Sequence, residues 1–272
     1  MIHKIDTPTR LFDLIDLPQH GRKAAAAFHV WRDGGWHTCM REEYKEKSTL
    51  VSQAMLAHGV RRGEAVALVA SSRPEWNMID MGVMQIGATL LPLSPHLEAE
   101  RYLELFEQAK VRVLILENSD LLDRFKVLLP QMETLRHIFT IDLANIGEAF
   151  EALLDEGSRH HDPELLANRR DHVTADDRCT LTLGDDGTLS SLTHKEMIAR
   201  VLEEADRLAG SKEPAVSNLP LHHLDERVRN YAYQLLGREI HCLPYGKRLG
   251  ECGETKADGK GRGKKRFGLK LF

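Results

Sequence analysis

Cysteine is scarce: Cys39, Cys179, Cys242 and Cys252 are the four among 272 residues. No two of them make a CxxC pair, so the spacing argues against both a zinc site and a disulfide framework. No apolar run approaches the roughly 20 residues that a membrane-spanning helix needs. Met1 to Thr9 is charged and polar and lacks the apolar stretch of a signal peptide. These absences set the expectation of a soluble, cytoplasmic protein. An acid/base pair is also missing, because Asp13, Asp16, Glu42, Glu43 and Glu46 read as solvated faces. His222-His223 with Asp225-Glu226 is the densest group of functional side chains. Adjacent histidines point in different directions, and no distant Cys or His pair completes a ligand set, so no metal site is expected. His160-His161-Asp162-Pro163 reads as a loop.

Hydrophobic residues make up 42% of the chain, enough for a substantial core in one large domain or a domain plus a fragment. Val66-Ala67-Leu68-Val69 and Val113-Leu114-Ile115-Leu116 are short continuous apolar runs, as expected of strands buried on both faces. Before the first run, Ser48 to His58, and between the two, Glu98 to Gln108, carry apolar positions three and four apart, which predicts helices. Strand and helix patterns alternate, so the fold class is α/β, with mainly parallel sheets flanked by helices. Ser72-Arg73-Pro74-Glu75 reads as a strand-to-helix turn, with Ser72 as cap and Pro74 in the first turn.

Charge divides the chain unevenly. From Lys247 onward there are nine Lys/Arg against three Asp/Glu, giving +6, while the remainder carries −10. The expected organisation is a domain over 1–246 and a basic Gly/Lys-rich tail over 247–272. The tail has too few aliphatic residues to fold on its own. It reads either as a non-adapted extension or as an anchor for nucleic acid or an anionic membrane.

Arg178 to Arg200, RCTLTLGDDGTLSSLTHKEMIAR, has a short β-type run, a Gly/Asp/Thr/Ser turn, and Thr193-His194 leading into an amphipathic helix. It resembles the phosphate loop of adenylate-forming enzymes, T-S-G-T-T-G-x-P-K-G followed by T-H. Thr182, Gly184, Gly187 and Thr193-His194 are retained. Asp185-Asp186 replaces the hydroxyl pair, Thr188 follows, and Leu189-Ser190-Ser191 replaces Pro-Lys-Gly. A phosphate loop turns backbone N–H groups and hydroxyls toward an anion, and its lysine adds a point charge. Ionised carboxylates only accept hydrogen bonds. At about 4 Å near a protein surface, each repels a phosphate charge by roughly 4 kcal/mol before screening. A Mg²⁺ ion bridging Asp185 or Asp186 to phosphate would offset this, since carboxylate and phosphate are its usual ligands. The competing reading is a plain solvent-exposed D-D-G turn.

Other segments carry the resemblance further. Thr38 to Glu64, Ala65 to Asp80, Gly82 to Pro92, Arg101 to Glu117 and Asn218 to Gly237 follow the order and spacing of AMP-forming acyl-CoA synthetases, the long-chain fatty acid type in particular. Ala65 to Asp80, AVALVASSRPEWNMID, is similar to V-A-L-x-S-x-N-R-P-E-W-x-x-x-D. Asn218 to Gly237, NLPLHHLDERVRNYAYQLLG, is similar to L-P-L-S-H-x-x-E-R followed by an aromatic helix. The resemblance implies the N-terminal subdomains of that fold, with ATP, Mg²⁺ and CoA as cofactors wherever activity is retained. It places His223 and Glu226 near the acyl group and the adenylate, and makes Tyr231, Tyr233, Leu235 and Leu236 candidates for an acyl pocket or for plain core. Thr182, Gly184, Asp185, Asp186, Gly187 and Thr188 form the degenerate nucleotide loop.

The family's Y-G-x-T-E segment, ribose aspartate and C-terminal lid have no counterpart. Tyr245-Gly246 is followed by Lys247-Arg248. No catalytic residue is assigned, and the expectation is a truncated homologue with impaired or absent ligase activity. The alternatives are a non-catalytic module that binds an acyl group or a full-length ligase, and one half of a split enzyme. Truncation after the strand expected at Glu239 to Leu243 would leave an open edge and favour self-association.

Overall fold

The computed structural model describes residues 8–17, 26–142, 149–184 and 186–252. Asp185 and residues 253–272 of the basic tail lie outside them. The chain opens with a hairpin, β1 (Ala26–Arg32) and β2 (Gly35–Met40), followed by α1 (Arg41–Ala57). Strand and helix then alternate through β3 (Ala65–Val69), α2 (Pro74–Gln85), β4 (Thr89–Leu93), α3 (Ala99–Ala109), β5 (Val111–Leu116), α4 (Ser119–Lys126) and β6 (His137–Thr140). Next come α5 (Phe150–Arg159), α6 (Pro163–His172), β7 (Arg178–Leu183), β8 (Leu189–Thr193) and α7 (His194–Leu208). The last elements are β9 (Ala215–Ser217), α8 (Leu224–Leu235) and β10 (Ile240–Cys242).

The larger sheet has the order β6-β5-β3-β4-β7-β8 and is parallel except for the β7–β8 pair. Its central strands are covered on both sides, which is why they read as unbroken apolar runs. Val66, Leu68, Leu90, Val113 and Ile115 face a core shared with Val51 and Met55 of α1, Ile79 of α2 and Leu153 of α5. Ala67, Val69, Leu91, Leu114 and Leu116 face a second core built on Tyr102 and Phe106 of α3 and Phe125 of α4. The expected α/β class with mainly parallel sheets is therefore present. No described helix is long and apolar enough to cross a membrane.

The smaller sheet, β2-β1-β10-β9, corrects one expectation. The strand expected at Glu239 to Leu243 is not an edge: Ile240, His241 and Cys242 pair with β1 on one side and β9 on the other. Ile240, Cys242 and Leu243 are buried. The early hairpin supplies the neighbour, a long-range pairing that local sequence does not announce. The edge argument for self-association does not hold at this strand.

Several local details also differ from expectation. Arg73, not Ser72, precedes the first turn of α2, and Pro74 opens that helix as expected. The Ser72 hydroxyl instead ties two loops together, donating to the Leu219 carbonyl at 2.8 Å and accepting from the Leu221 N–H at 2.9 Å. The 160–163 stretch is only half loop, because Asp162 caps α6 by accepting from the Leu165 N–H at 2.8 Å. Asp13 and Asp16 are ion-paired rather than simply solvated, Asp13 with Arg10 at 2.8 Å and Asp16 with Lys45 at 2.5 Å and with Arg170.

Candidate functional site

The phosphate-loop segment forms a tight β-hairpin. β7 and β8 pair antiparallel, Thr182 opposite Ser190 and Leu183 opposite Leu189. Leu189-Ser190-Ser191, expected in a loop, therefore belongs to a strand. The connecting turn uses its own donors. The Gly184 N–H donates to the Thr188 carbonyl at 2.9 Å, and the Gly187 N–H to the Gly184 carbonyl at 2.9 Å. Asp186 accepts from the Thr188 N–H at 2.9 Å and from its hydroxyl at 2.7 Å. Those two bonds hold its carboxyl below the usual carboxylate range. The Arg101 guanidinium donates to the Gly187 carbonyl and also pairs with Glu104 at 2.6 Å. Gly187 sits at φ +80°, a backbone region that only glycine enters without strain. Three N–H groups, those of Gly184, Gly187 and Thr188, are thus engaged within the turn. A carboxylate stands at its centre, and no lysine is present.

The retained motif residues have structural duties. Thr182 and Ser190 bond their hydroxyls across the hairpin at 2.8 Å. Thr193 caps α7 in a reciprocal capping box with Glu196. His194 is fully buried, and its Nδ1 accepts from the Leu11 N–H at 3.0 Å, tying the 11–16 turn to α7. Burial pushes its pKa down from 6.5 to about 4.

That shift has a pH consequence. The unfolded histidine protonates near 6.5, whereas the folded one resists until about 4. Stability is complete above the unfolded value and is lost as the pH falls between the two, by roughly 3 kcal/mol in total. Urea unfolding at pH 7.5 and 4.5 should show that loss. His194→Asn, which keeps an acceptor near Nδ1, should flatten the pH slope, and an unchanged slope would refute the assignment.

A cavity of about 470 Å³ opens where strands of both sheets end at their carboxyl termini. Ser71 and Ser72 enter from the loop after β3, and Ser94 and His96 from the loop after β4. Leu219, His222 and His223 come from the segment before α8, and Leu243 and Tyr245 from the segment after β10. Ligands of open α/β sheets gather in crevices at this end. Leu219 and Tyr245 stand at 45% and 77% exposure, two of the few large apolar side chains left open among the described residues. His222 and His223 both line the cavity. Gly184, Asp186, Gly187 and Thr188 are not among its described lining residues.

Glu226 lies elsewhere. It is buried, accepts from the Ser217 hydroxyl at 3.0 Å, and has its pKa raised by burial. Tyr231, Tyr233 and Leu235 are core rather than pocket; Tyr231 donates to Asp80. The residue overlooked in the sequence is Arg227. It is 1% exposed and reaches Asp80 of α2 with bonds of 2.7 and 3.0 Å and Thr180 of β7 at 2.5 Å. Its guanidinium also lies 5.3 Å over the Trp76 ring. Asn230 extends this polar seam, accepting from Asn77 at 3.0 Å and from Gln234 at 2.9 Å. The E-R pair at the start of α8 and the aspartate of the R-P-E-W segment were the available signals. All four cysteines are unpaired and buried. No cluster of three or more His, Cys, Asp or Glu suited to a metal occurs among the described residues.

Two parallel-rich layers meeting at such a crevice define the N-terminal fold of adenylate-forming enzymes. A long-chain-fatty-acid–CoA ligase of Archaeoglobus fulgidus superposes with a TM-score of 0.74 over 89% of this chain and 48% of its own, at 18% identity. A putative long-chain-fatty-acid CoA ligase of Rhodopseudomonas palustris gives 0.70 over 88% and 58%, at 19% identity. In sequence, the long-chain-fatty-acid–CoA ligase FadD15 of Mycobacterium bovis is 24% identical over 209 residues, 74% of this chain and 34% of the ligase. The AMP-binding enzyme profile matches residues 17–183. The chain belongs to the AMP-binding enzyme family. It spans about a third of the curated ligase and about half of the first of these structures. The profile match ends at Leu183, one residue short of the turn.

Proposed function

We propose that this chain is a non-adenylating member of its family, one that retains a cavity for an apolar acid and lacks a working phosphate cradle. The self-satisfied turn at 184–188 carries this reading. The Gly184, Gly187 and Thr188 N–H groups bond within it, and Asp186 stands where the family has a hydroxyl. Phosphoryl chemistry depends on positioned donors and cations. The described residues of the turn therefore do not fit ATP, and no step of adenylation is assigned to them. A split ligase completed by another chain is disfavoured for the same reason, because a partner does not readily replace a lysine within this turn.

The acid-binding half of the reading rests on the crevice position of the cavity, its open Leu219 and Tyr245, and the relatives named as long-chain-fatty-acid–CoA ligases. The 1–246 domain boundary and a regulatory role toward a full-length ligase remain part of the same proposal. Displacement of a fluorescent fatty acid is the test. Competition by dodecanoate at micromolar concentration, weakened several-fold by Leu219→Asp, supports the proposal. No uptake of the probe contradicts it.

A further inference from the structure

We propose that the cavity recognises the anionic head of an apolar molecule through His96, His222 and His223, taking up protons from solvent as it binds. The inference rests on the cavity reading above and names how that site would be governed. His222 and His223 lie with ring centroids 4.4 Å apart, and both line the cavity with His96. No Lys, Arg, Asp or Glu is among the described lining residues, so the three imidazoles are the side chains there that can take up a positive charge. The Nδ1 of His222 is buried and has no hydrogen-bond partner among the described residues. His222 stands where the family pattern L-P-L-S-H has serine, so the second histidine is a feature of this chain.

The remaining walls are nearly neutral. The loop after β3 presents Ser71 and Ser72, and the Ser71 hydroxyl is already given to Glu117 at 2.8 Å. The loop after β4 adds the Ser94 hydroxyl, which accepts from the His96 N–H at 3.2 Å. The segment after β10 adds the Tyr245 phenol. Asp225 and Glu226 follow in the first turn of α8, with Glu226 turned toward Ser217 and Arg229. Arg73 sits in a neighbouring cleft that shares Ser72, and is held by Glu75 at 3.0 Å and Asp142 at 2.9 Å.

Burial, and then the neighbouring His223 and His96, hold the His222 ring neutral down to about 4 when no anion is present. An anion placed among the three rings removes that mutual repulsion and favours their charged forms. A nearby opposite charge raises such a group by about 1–3 pKa units, each unit being tenfold in affinity. Binding of an anion should therefore strengthen as the pH falls, while binding of a neutral chain of the same length should not.

The test is calorimetric titration of the chain with decane-1-sulfonate, which stays anionic throughout, and with decan-1-ol, at pH 8.5 and 6.0. The expected result is sulfonate affinity about tenfold higher at pH 6.0, no matching change for the alcohol, and loss of the pH effect in the His96→Asn/His222→Ser/His223→Asn variant. Sulfonate enthalpies in two buffers of different ionisation enthalpy should show net proton uptake by the unmodified chain, a reading independent of any variant. Sulfonate binding without pH dependence or proton uptake, or a pH effect that persists in a folded triple variant, overturns this inference and leaves the cavity reading standing. Failure of both probes to bind at either pH overturns the cavity reading and this inference with it.

Discussion

Arg227→Met is expected to destabilise the chain by about 3–5 kcal/mol, the usual cost of removing one partner from a buried ion pair. Asp80 is fully buried, and Arg227 is its counter-charge through two guanidinium nitrogens. Burial pushes the Asp80 carboxyl up, while Arg227 and the Tyr231 hydroxyl oppose that shift. Methionine preserves much of the arginine volume but strands the carboxylate and frees Thr180, so packing loss is not the main term. The double variant Asp80→Leu/Arg227→Met should recover most of the loss, because a buried pair is often replaced by apolar residues at little net cost. Urea unfolding of the three proteins is the measurement. A single-variant loss under about 1 kcal/mol would contradict the assignment of this pair as the clamp between α2, α8 and β7.

The second large effect is expected at Gly157. α1 is wedged between α2 and α5, and glycines permit both close approaches. A Cβ at Gly157 would overlap the Leu50 carbonyl oxygen and lie 2.8 Å from its carbon. These are backbone atoms of α1 and cannot rotate aside. At Gly82 the same addition would meet the Val51 side chain at 2.6 Å and the Ser48 oxygen at 2.8 Å. Gly157→Ala should cost about 3 kcal/mol, the upper end of overpacking penalties, despite alanine's better helix propensity. Thermal and urea unfolding both report it. A neutral or stabilising result would mean that α5 does not sit against α1 as described.

The layered fold was readable because its central strands are buried on both faces, so Val66 to Val69 and Val113 to Leu116 stand out as unbroken apolar runs. The helices over Ser48 to His58 and Glu98 to Gln108 were readable from their spacing. What escaped were relations between distant segments. The pairing of β10 with β1 joins Ile240 to Phe28, and nothing within Glu239 to Leu243 states which neighbour it has. The spacing around Tyr231 favours core over pocket, but nothing in it shows that the hydroxyl donates to Asp80. At the site, the loss of lysine and the gain of Asp185-Asp186 were plain in the sequence. That the turn uses its own N–H groups was not, because it depends on the hairpin register that sets Leu183 opposite Leu189. The motif singles out His223. His96 joins it only because β4 ends at the same crevice.

The retained and lost parts of the phosphate-loop motif separate along a physical line. Thr182, Gly187, Thr193 and His194 each have a role in the hairpin, the cap or the core. The lysine and the hydroxyl pair, which would serve a phosphate and not the fold, are the positions that changed. On the proposed non-adenylating reading, only the first set has a use in this chain.

Calorimetric titration with ATP and Mg²⁺ at neutral pH tests this most directly. The expected result is no heat of binding up to millimolar nucleotide, with dodecanoate still bound by the same preparation. Micromolar ATP binding, abolished by Asp186→Ala, would show that the turn opens and holds phosphate through the metal, and would contradict the non-adenylating reading.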